Sequence, residues 1–366
     1  MEVYAVVFCF LAALTIVELY IPGRDVKLGI GIACVVVLTL VAGLRWETGN
    51  DWPNYLDNYR FGTSIAYNAE TFEVGYRAIV VASRQLGLSY TAFLLVTALF
   101  SNSALVYVFA RLGPRALLSL LYFTSYFLGL MGTQRQYLAI AVACVGLLAI
   151  YDRRRLLGIT LIGFAMLFHV TAVVCLAVLA VPRRAISWPA FLAASVVAGA
   201  TAYLGATLAT VLLSSIIGDG FIASKLLAYT LSDTSGPETL GNIGLASLKR
   251  GVLALFFAVM CRQPGATLTN FVLNMYLLSV GLFFMFVGFI PILALRIGLY
   301  FSVFEIFLVY TAIRRIGGSY WRELFLSAGI ILSAARLYWS IFSAETPLFV
   351  PYKSVLQTSD HARFLY

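Results

Sequence analysis

Three arginines in this chain stand where a charge is costly, so their positions are the first place to look for chemistry. Arg45 closes an apolar run from Leu28 to Leu44 that only Thr39 interrupts, and it opens the segment Gly43-Leu44-Arg45-Trp46-Glu47-Thr48-Gly49-Asn50-Asp51-Trp52-Pro53-Asn54-Tyr55. A guanidinium there either snorkels to a membrane interface or holds an anion. Gly49 and Pro53 forbid a smooth helix through the segment, so Asp51 is expected in a shaped turn beyond the apolar run. The Trp and Tyr residues also fit an interfacial anchor. Arg135 and Gln136 lie between two apolar runs, just after Gly132-Thr133. A planar cation with five donors suits phosphate or pyrophosphate, and a neighbouring amide can bond the same ligand. The alternative is an arginine snorkelling from a loop. Arg296 interrupts the long apolar stretch from Phe271 to Val309, where a charge must face a cavity or a partner. Tyr300, one helical turn on, can present a phenol beside it.

His169 is one of two histidines and sits in an apolar context, followed at two residues by Thr171. A neutral imidazole can accept a proton near physiological pH, or can be a satisfied buried side chain. Glu18 and Glu305 also fall within apolar runs, where each can pair with an arginine or a tyrosine, Arg336 being a candidate partner. Tyr352-Lys353, after Pro351, offers another cation or an anchor for the C-terminal segment.

The elements that must carry these residues follow from composition. The chain has 366 residues, 61% hydrophobic and 11% charged, against roughly 25% charged in a soluble domain. It therefore reads as an all-α polytopic membrane protein, because its apolar runs of about 18 to 25 residues are too long for barrel strands. We place about eleven spans, at 3–21, 27–45, 90–110, 116–131, 137–151, 157–181, 189–217, 247–262, 269–291, 296–313 and 322–342, in a single membrane domain covering 1–366. The net charge of +9 lies in short Lys/Arg clusters between spans, which sets membrane orientation and argues against nucleic acid as a partner. By that rule segments 22–27, 111–115, 152–155, 182–187, 262–268 and 314–322 face the cytoplasm.

The run 157–181 would put Arg155 and Arg183 on opposite sides. A re-entrant or broken helix near His169 removes the conflict, and irregular backbone at that depth needs a protein-lined or wet surrounding. The outward connections are then 46–89, 132–136, 218–246, the Pro291-to-Arg296 corner and the tail 343–366. Within 46–89, Thr71 is expected to cap an amphipathic helix that begins near Phe72 and lies along the membrane surface, with Phe72, Tyr76, Ile79 and Val80 on one side. Gly236-Pro237 is a turn signal in the second outer loop, 218–246. The order of charge and apolar residues at the start argues against a cleaved signal peptide.

Cys9, Cys34, Cys144, Cys175 and Cys261 are scattered through apolar runs, as buried small hydrophobes are, with no disulfide or zinc spacing. The sequence contains no DxD, GxxxxGK[ST], HExxH or CxxC, so nucleotide-sugar, NTP and zinc chemistry lack support, and neither metal nor cofactor is expected. Several arginines, an acid and a histidine on one face suit an anionic, lipid-linked substrate.

The blocks Gly43-Leu44-Arg45 with Gly49, Asp51 and Tyr55; Glu73-Val74-Gly75-Tyr76; Arg135-Gln136-Tyr137-Leu138-Ala139; Phe168-His169-Val170-Thr171; and Arg296-Ile297-Gly298-Leu299-Tyr300-Phe301 together resemble the EpsG-like, Wzy-type exopolysaccharide and O-antigen polymerases. Thr171 stands where that family often has serine. The resemblance implies a GT-C-like inner-membrane glycosyltransferase whose active face is periplasmic or extracellular. It would join undecaprenyl-pyrophosphate-linked oligosaccharide repeat units by moving the growing chain onto the acceptor unit's sugar hydroxyl, among membrane lipids and with a possible chain-length regulator. On this view Arg45, Arg135 and Arg296 clamp the pyrophosphate. The base is Asp51, then His169, then Glu73, while Tyr55, Gln136 and Tyr300 contact the glycan. A glycan ligase using the same donor, or a flippase for lipid-linked oligosaccharide, are the alternatives.

Overall fold

The computed structural model describes residues 2–49, 51–197, 199–200, 237–287, 291–342 and 348–356, and every regular element among them is helical. Spatial proximity divides the chain into two compact units, Met1–Val173 with Ile316–Tyr366, and Val174–Arg315.

The first unit begins with α1 (Glu2–Tyr20) and α2 (Arg24–Gly43), followed by two short helices, α3 (Trp52–Phe61) and α4 (Val74–Gln85). It continues with α5 (Tyr90–Leu112), α6 (Arg115–Gly132), α7 (Gln134–Tyr151) and α8 (Arg155–Met166). A 3-10 helix, Val170–Ala180, crosses from this unit into the next. The second unit contains α9 (Trp188–Val197), α10 (Pro237–Cys261), α11 (Thr267–Val287), α12 (Pro291–Ser302) and α13 (Glu305–Arg315), and the first unit is completed by α14 (Ser319–Phe342).

Eight helices are long and apolar enough to cross a bilayer: α1, α2, α5, α6, α7, the Gly244–Cys261 part of α10, α11 and α14. α12 and α13 are bent by 50° at a short break, and counting that pair as one span makes nine. The chain is thus an all-α polytopic membrane protein, with fewer spans among the described residues than the eleven expected. The difference arises where an apolar window conceals a backbone break. The run 157–181 divides at Leu167–His169, as expected of a re-entrant or broken helix there, into α8 and the 3-10 helix, each too short to cross alone. The expected span 296–313 turns at Val303-Phe304. Of 189–217, only 189–197 and 199–200 fall within the described residues; Asn50 and the Gly236 half of the Gly236-Pro237 turn lie outside them, as do 218–236 of the second loop and most of the tail.

Two expected loops prove helical. The Pro291-to-Arg296 corner is the first turn of α12, and residues 237–246 begin α10. The connection 132–136 shrinks to Thr133, because α7 starts at Gln134 and takes Arg135 and Gln136 into its first turn. Helix-compatible Gln-Arg-Gln can continue the apolar run that follows it.

The break near His169 has a visible cause. Leu167 and Phe168 donate to carbonyls three residues back, Phe164 and Ala165, at 3.1 and 3.0 Å, tightening the helix end. The Leu167 carbonyl then accepts from the Gly75 N–H of α4 at 2.8 Å. A Cβ at Gly75 would stand 2.7 Å from that carbonyl oxygen, so only glycine permits the approach.

Away from that end, Glu18 of α1 is buried and does two things at the start of α6. Its Oε2 accepts from the Ala116 N–H at 2.7 Å and its Oε1 pairs with Arg115 at 3.7 Å. A carboxylate satisfies an orphan donor of the helix N-terminus and complements its dipole. In the second unit Ser279 of α11 donates to the Gly298 carbonyl of α12 at 2.9 Å, and Asn274 of α11 donates to the Pro182 and Arg184 carbonyls at 2.8 and 2.9 Å. All five cysteines are free thiols and four are buried, as their apolar contexts led us to expect; Cys9 is exposed. Glu18→Ala should lower stability by about 2 kcal/mol, the scale of a hydrogen bond to a charged group, read as a lower melting temperature of detergent-purified protein. Glu18→Gln should lose less.

Candidate functional site

The loop after α2 is built by three local devices. Leu44 ends the helix, and Arg45 turns back so that its Nη1 donates to the Ala42 carbonyl at 3.0 Å, satisfying one terminal acceptor. Gly49 has φ +111°, and a Cβ on it would stand 2.9 Å from Cα of Gly132. Pro53 does not merely interrupt the chain, because it sits in the first turn of α3, where its missing N–H costs nothing.

Residues 348–356 lie along this loop like a strap. Trp46 N–H donates to the Lys353 carbonyl at 2.8 Å, Val355 N–H to Leu44 at 2.9 Å and Gly49 N–H to Leu348 at 3.0 Å. Tyr352 donates to the Val41 carbonyl at 2.9 Å, and Lys353 pairs with Glu47 at 2.8 Å on the exposed side. Of the two roles open to Tyr352-Lys353, these contacts are those of an anchor.

Arg45 is 3% exposed, and among the described residues no carboxylate lies within ion-pair distance of it. Its Nε is buried with no hydrogen-bond partner. The guanidinium stands over the Trp52 ring, 5.6 Å from the centroid. Burial pushes its pKa down, opposed by the surrounding Tyr90, Tyr352, Tyr76 and Tyr55 oxygens. Burial also drives the phenol of Tyr352 up to about 12 and raises those of Tyr55 and Tyr76, with Arg135 and Arg45 pulling the other way. At neutral pH these phenols are uncharged, so they do not neutralise Arg45.

Arg135 presents the opposite case. Its Nη1 pairs with Glu73 Oε2 at 2.6 Å and donates to the Thr71 carbonyl at 2.7 Å. Its Nε reaches the Tyr55 hydroxyl at 3.5 Å, and the guanidinium lies 4.5 Å from the Phe72 centroid and 5.9 Å from that of Tyr55. Its side chain is 15% exposed and that of Glu73 5%. Thr71 is not the helix cap expected of it. Glu73 holds the N-cap position of α4, yet makes no side-chain cap bond, because its carboxylate is drawn to Arg135 and, through Oε1, to the Val170 N–H at 3.5 Å. That contact brings the His169 turn to the same place, where the Thr171 hydroxyl and His169 Nδ1 are 2.6 Å apart and both residues are buried.

Four of the five sequence blocks therefore converge in the first unit: Arg45, Asp51 and Tyr55; Glu73 and Tyr76; Arg135 and Gln136; His169 and Thr171. Asp51 holds the N-cap position of α3, partly exposed, with no side-chain cap bond, and Gln136 is buried. The fifth block, with partly buried Arg296 and fully buried Tyr300, belongs to α12 of the second unit.

Gln134 and Tyr90 escaped the sequence reading. Gln134 is 5% exposed, accepts from the Tyr76 hydroxyl at 2.8 Å and donates to the Tyr90 oxygen at 2.9 Å. The only signal was a polar run, Gln134-Arg135-Gln136, in which helical spacing turns the first residue away from the second.

The first unit of this polytopic helical membrane protein thus buries one guanidinium among phenols without a carboxylate, and a second paired to Glu73. The EpsG family model matches residues 30–354, and the chain belongs to that family. Searches of curated proteins and of solved structures returned no match. Membership supports a polysaccharide-polymerase-like role in general, for an enzyme of polymerase or glycosyltransferase type.

The ion pair sets its own test. Glu73→Ala leaves Arg135 without its carboxylate and should cost about 3 kcal/mol. In a double-mutant cycle measured by thermal unfolding, Glu73→Ala with Arg135→Ala should cost clearly less than the sum of the two single variants.

Proposed function

We propose that this protein polymerises oligosaccharide repeat units carried on undecaprenyl pyrophosphate, at the outer face of the inner membrane. The observation that carries the proposal is the guanidinium of Arg45, buried without a carboxylate inside the region matched by the EpsG family. A buried cation lacking an internal counter-charge is destabilising in the empty state and complementary to an anion. Pyrophosphate is the anion that this reaction generates.

In the proposed step the acceptor sugar hydroxyl attacks the anomeric carbon of the donor chain. A carbon–oxygen bond to the acceptor forms while the bond to the pyrophosphate oxygen breaks, and the lipid pyrophosphate leaves with both electrons of that bond. The leaving group is a stabilised anion and needs cations in place more than an acid, which Arg45 supplies. The acceptor's proton passes to a base, for which Asp51 is the first choice and His169 the second. Glu73, already bound to Arg135, takes a positioning part: it fixes the Arg135 fork beside Tyr55, which with Gln136 supports the glycan. Arg296 and Tyr300 keep the roles that the family resemblance suggests, and Arg296 is tested by a variant of its own.

The decisive assay uses purified protein and short lipid-linked repeat units without nucleotide or metal, read as a ladder on a gel with release of undecaprenyl pyrophosphate. Arg45→Lys, which keeps charge and loses the fork, should reduce turnover by roughly 10²-fold. Asp51→Asn should abolish the ladder while the protein remains folded, and Arg296→Lys should slow it. A normal ladder from Arg45→Lys overturns the proposal for that residue; transfer to an added lipid or protein acceptor with no ladder makes the protein a ligase.

A further inference from the structure

The surroundings of Arg45 hold more hydrogen-bond donors than acceptors, and the excess has a definite composition. Trp52 is 5% exposed and its indole Nε1, a donor only, is buried without a partner. Tyr90 is 1% exposed, and its ring packs edge-on against that of Trp52 with centroids 5.2 Å apart. The Tyr90 oxygen is occupied as an acceptor by Gln134 Nε2 at 2.9 Å, and Gln134 is held in that orientation by the Tyr76 hydroxyl on its Oε1 at 2.8 Å. The phenolic proton of Tyr90 therefore remains to be donated, and among the described residues nothing accepts it. With Arg45 Nε, three buried donors of three chemical kinds lack acceptors within one aromatic cluster.

An unsatisfied buried donor is costly, so three together call for a ligand that brings acceptors and no donors. One water, with two lone pairs, accepts from at most two of the three, and the cavity beside Arg45, lined by Ser101, Gln134 and Tyr137, has a volume of about 10 Å³, room for no more than one. That space admits no phosphate while the surroundings are closed. The 348–356 strap, bridged to Arg45 at Ser354 and held by the backbone bonds to Leu44, Trp46 and Gly49, is the neighbouring element whose displacement would make room for one.

We infer that Tyr90 and Trp52 are further phosphate-oxygen donors of the Arg45 site, with Gln134 the positioning residue that turns the Tyr90 hydroxyl outward as a donor. The inference rests on the reading of Arg45 as an anion site and extends it: a neutral phenol and an indole share the oxyanion with the cation. Such a mixed set favours a group with several terminal oxygens, as a pyrophosphate has, over a carboxylate with two.

The test is calorimetric titration of the full-length protein in detergent with inorganic pyrophosphate. The wild type should bind, and Arg45→Gln should not. Tyr90→Phe and Trp52→Phe retain their rings and lose one donor each, so each should weaken binding about tenfold, as expected for one hydrogen bond to a charged group. Gln134→Leu should weaken binding by a similar factor alone and add nothing in the Tyr90→Phe background, a non-additivity that general loosening of the fold does not produce. Unchanged melting temperatures check that each variant is folded. Wild-type affinity in both Tyr90→Phe and Trp52→Phe, with Arg45→Gln still silent, overturns the inference and leaves the anion site standing. Wild-type affinity in Arg45→Gln, or a wild type that does not bind, overturns both.

Discussion

The Glu73–Arg135 ion pair is the contact on which the arrangement of the first unit depends. Its two charges lie 62 positions apart in the chain, and its hydrogen bonds extend to the Thr71 carbonyl, the Tyr55 hydroxyl and the Val170 N–H. One ion pair thereby joins the loop helices α3 and α4, the first turn of α7 and the broken segment at His169. Away from water the attraction between the partners is strong, but so is the penalty for burying each, and the surrounding hydrogen bonds decide the balance. The pair is better understood as a device that sets position than as a large source of stability.

Arg45 is the counterpart that makes this position useful. Both arginines are held in aromatic surroundings, and Tyr55 and Tyr76 lie within electrostatic range of both. One is neutralised by a neighbour within the protein and the other is not. On the proposed reading, supplying Arg45 with its own carboxylate would stabilise the protein without ligand and weaken its hold on an anion. The unpaired donors of Trp52 and Tyr90 follow the same logic without charge. Local discomfort of this kind is common at functional sites and has to be offset by packing elsewhere, here by close-fitting rings of which Tyr59, Tyr76, Tyr90 and Phe93 are almost wholly buried.

The strap at 348–356 adds a long-range element. It meets the loop after α2 through backbone bonds across some three hundred positions, and its Phe349 carbonyl also accepts from Tyr4 of α1 at 2.9 Å. Both ends of the first unit's sequence therefore close over Arg45. This explains how a residue just past the end of an apolar helix, where snorkelling to water is the ordinary outcome, becomes buried.

By itself, the sequence determined the membrane class, the helical content, most helix positions to within a few residues and the isolation of Arg45, Arg135 and His169 at the edges or within apolar runs. Apolar run length and isolated charge are local properties, and they report solvent preference directly. Only the tertiary structure decided which charges are paired. Glu73 was legible as an acid in a first turn, yet nothing within ten residues of it names Arg135 as its partner, and Thr71 looked the better cap for that reason. Tyr90 read as the start of a span and Gln134 as part of the 132–136 connection until the fold set one beside the other. The charges at Arg155 and Arg183 announced a break near His169, but not its cause, a Gly75 N–H more than ninety residues away that captures the Leu167 carbonyl. Pairing and breaking are consequences of which groups meet in space, and a chain states that only when it is folded.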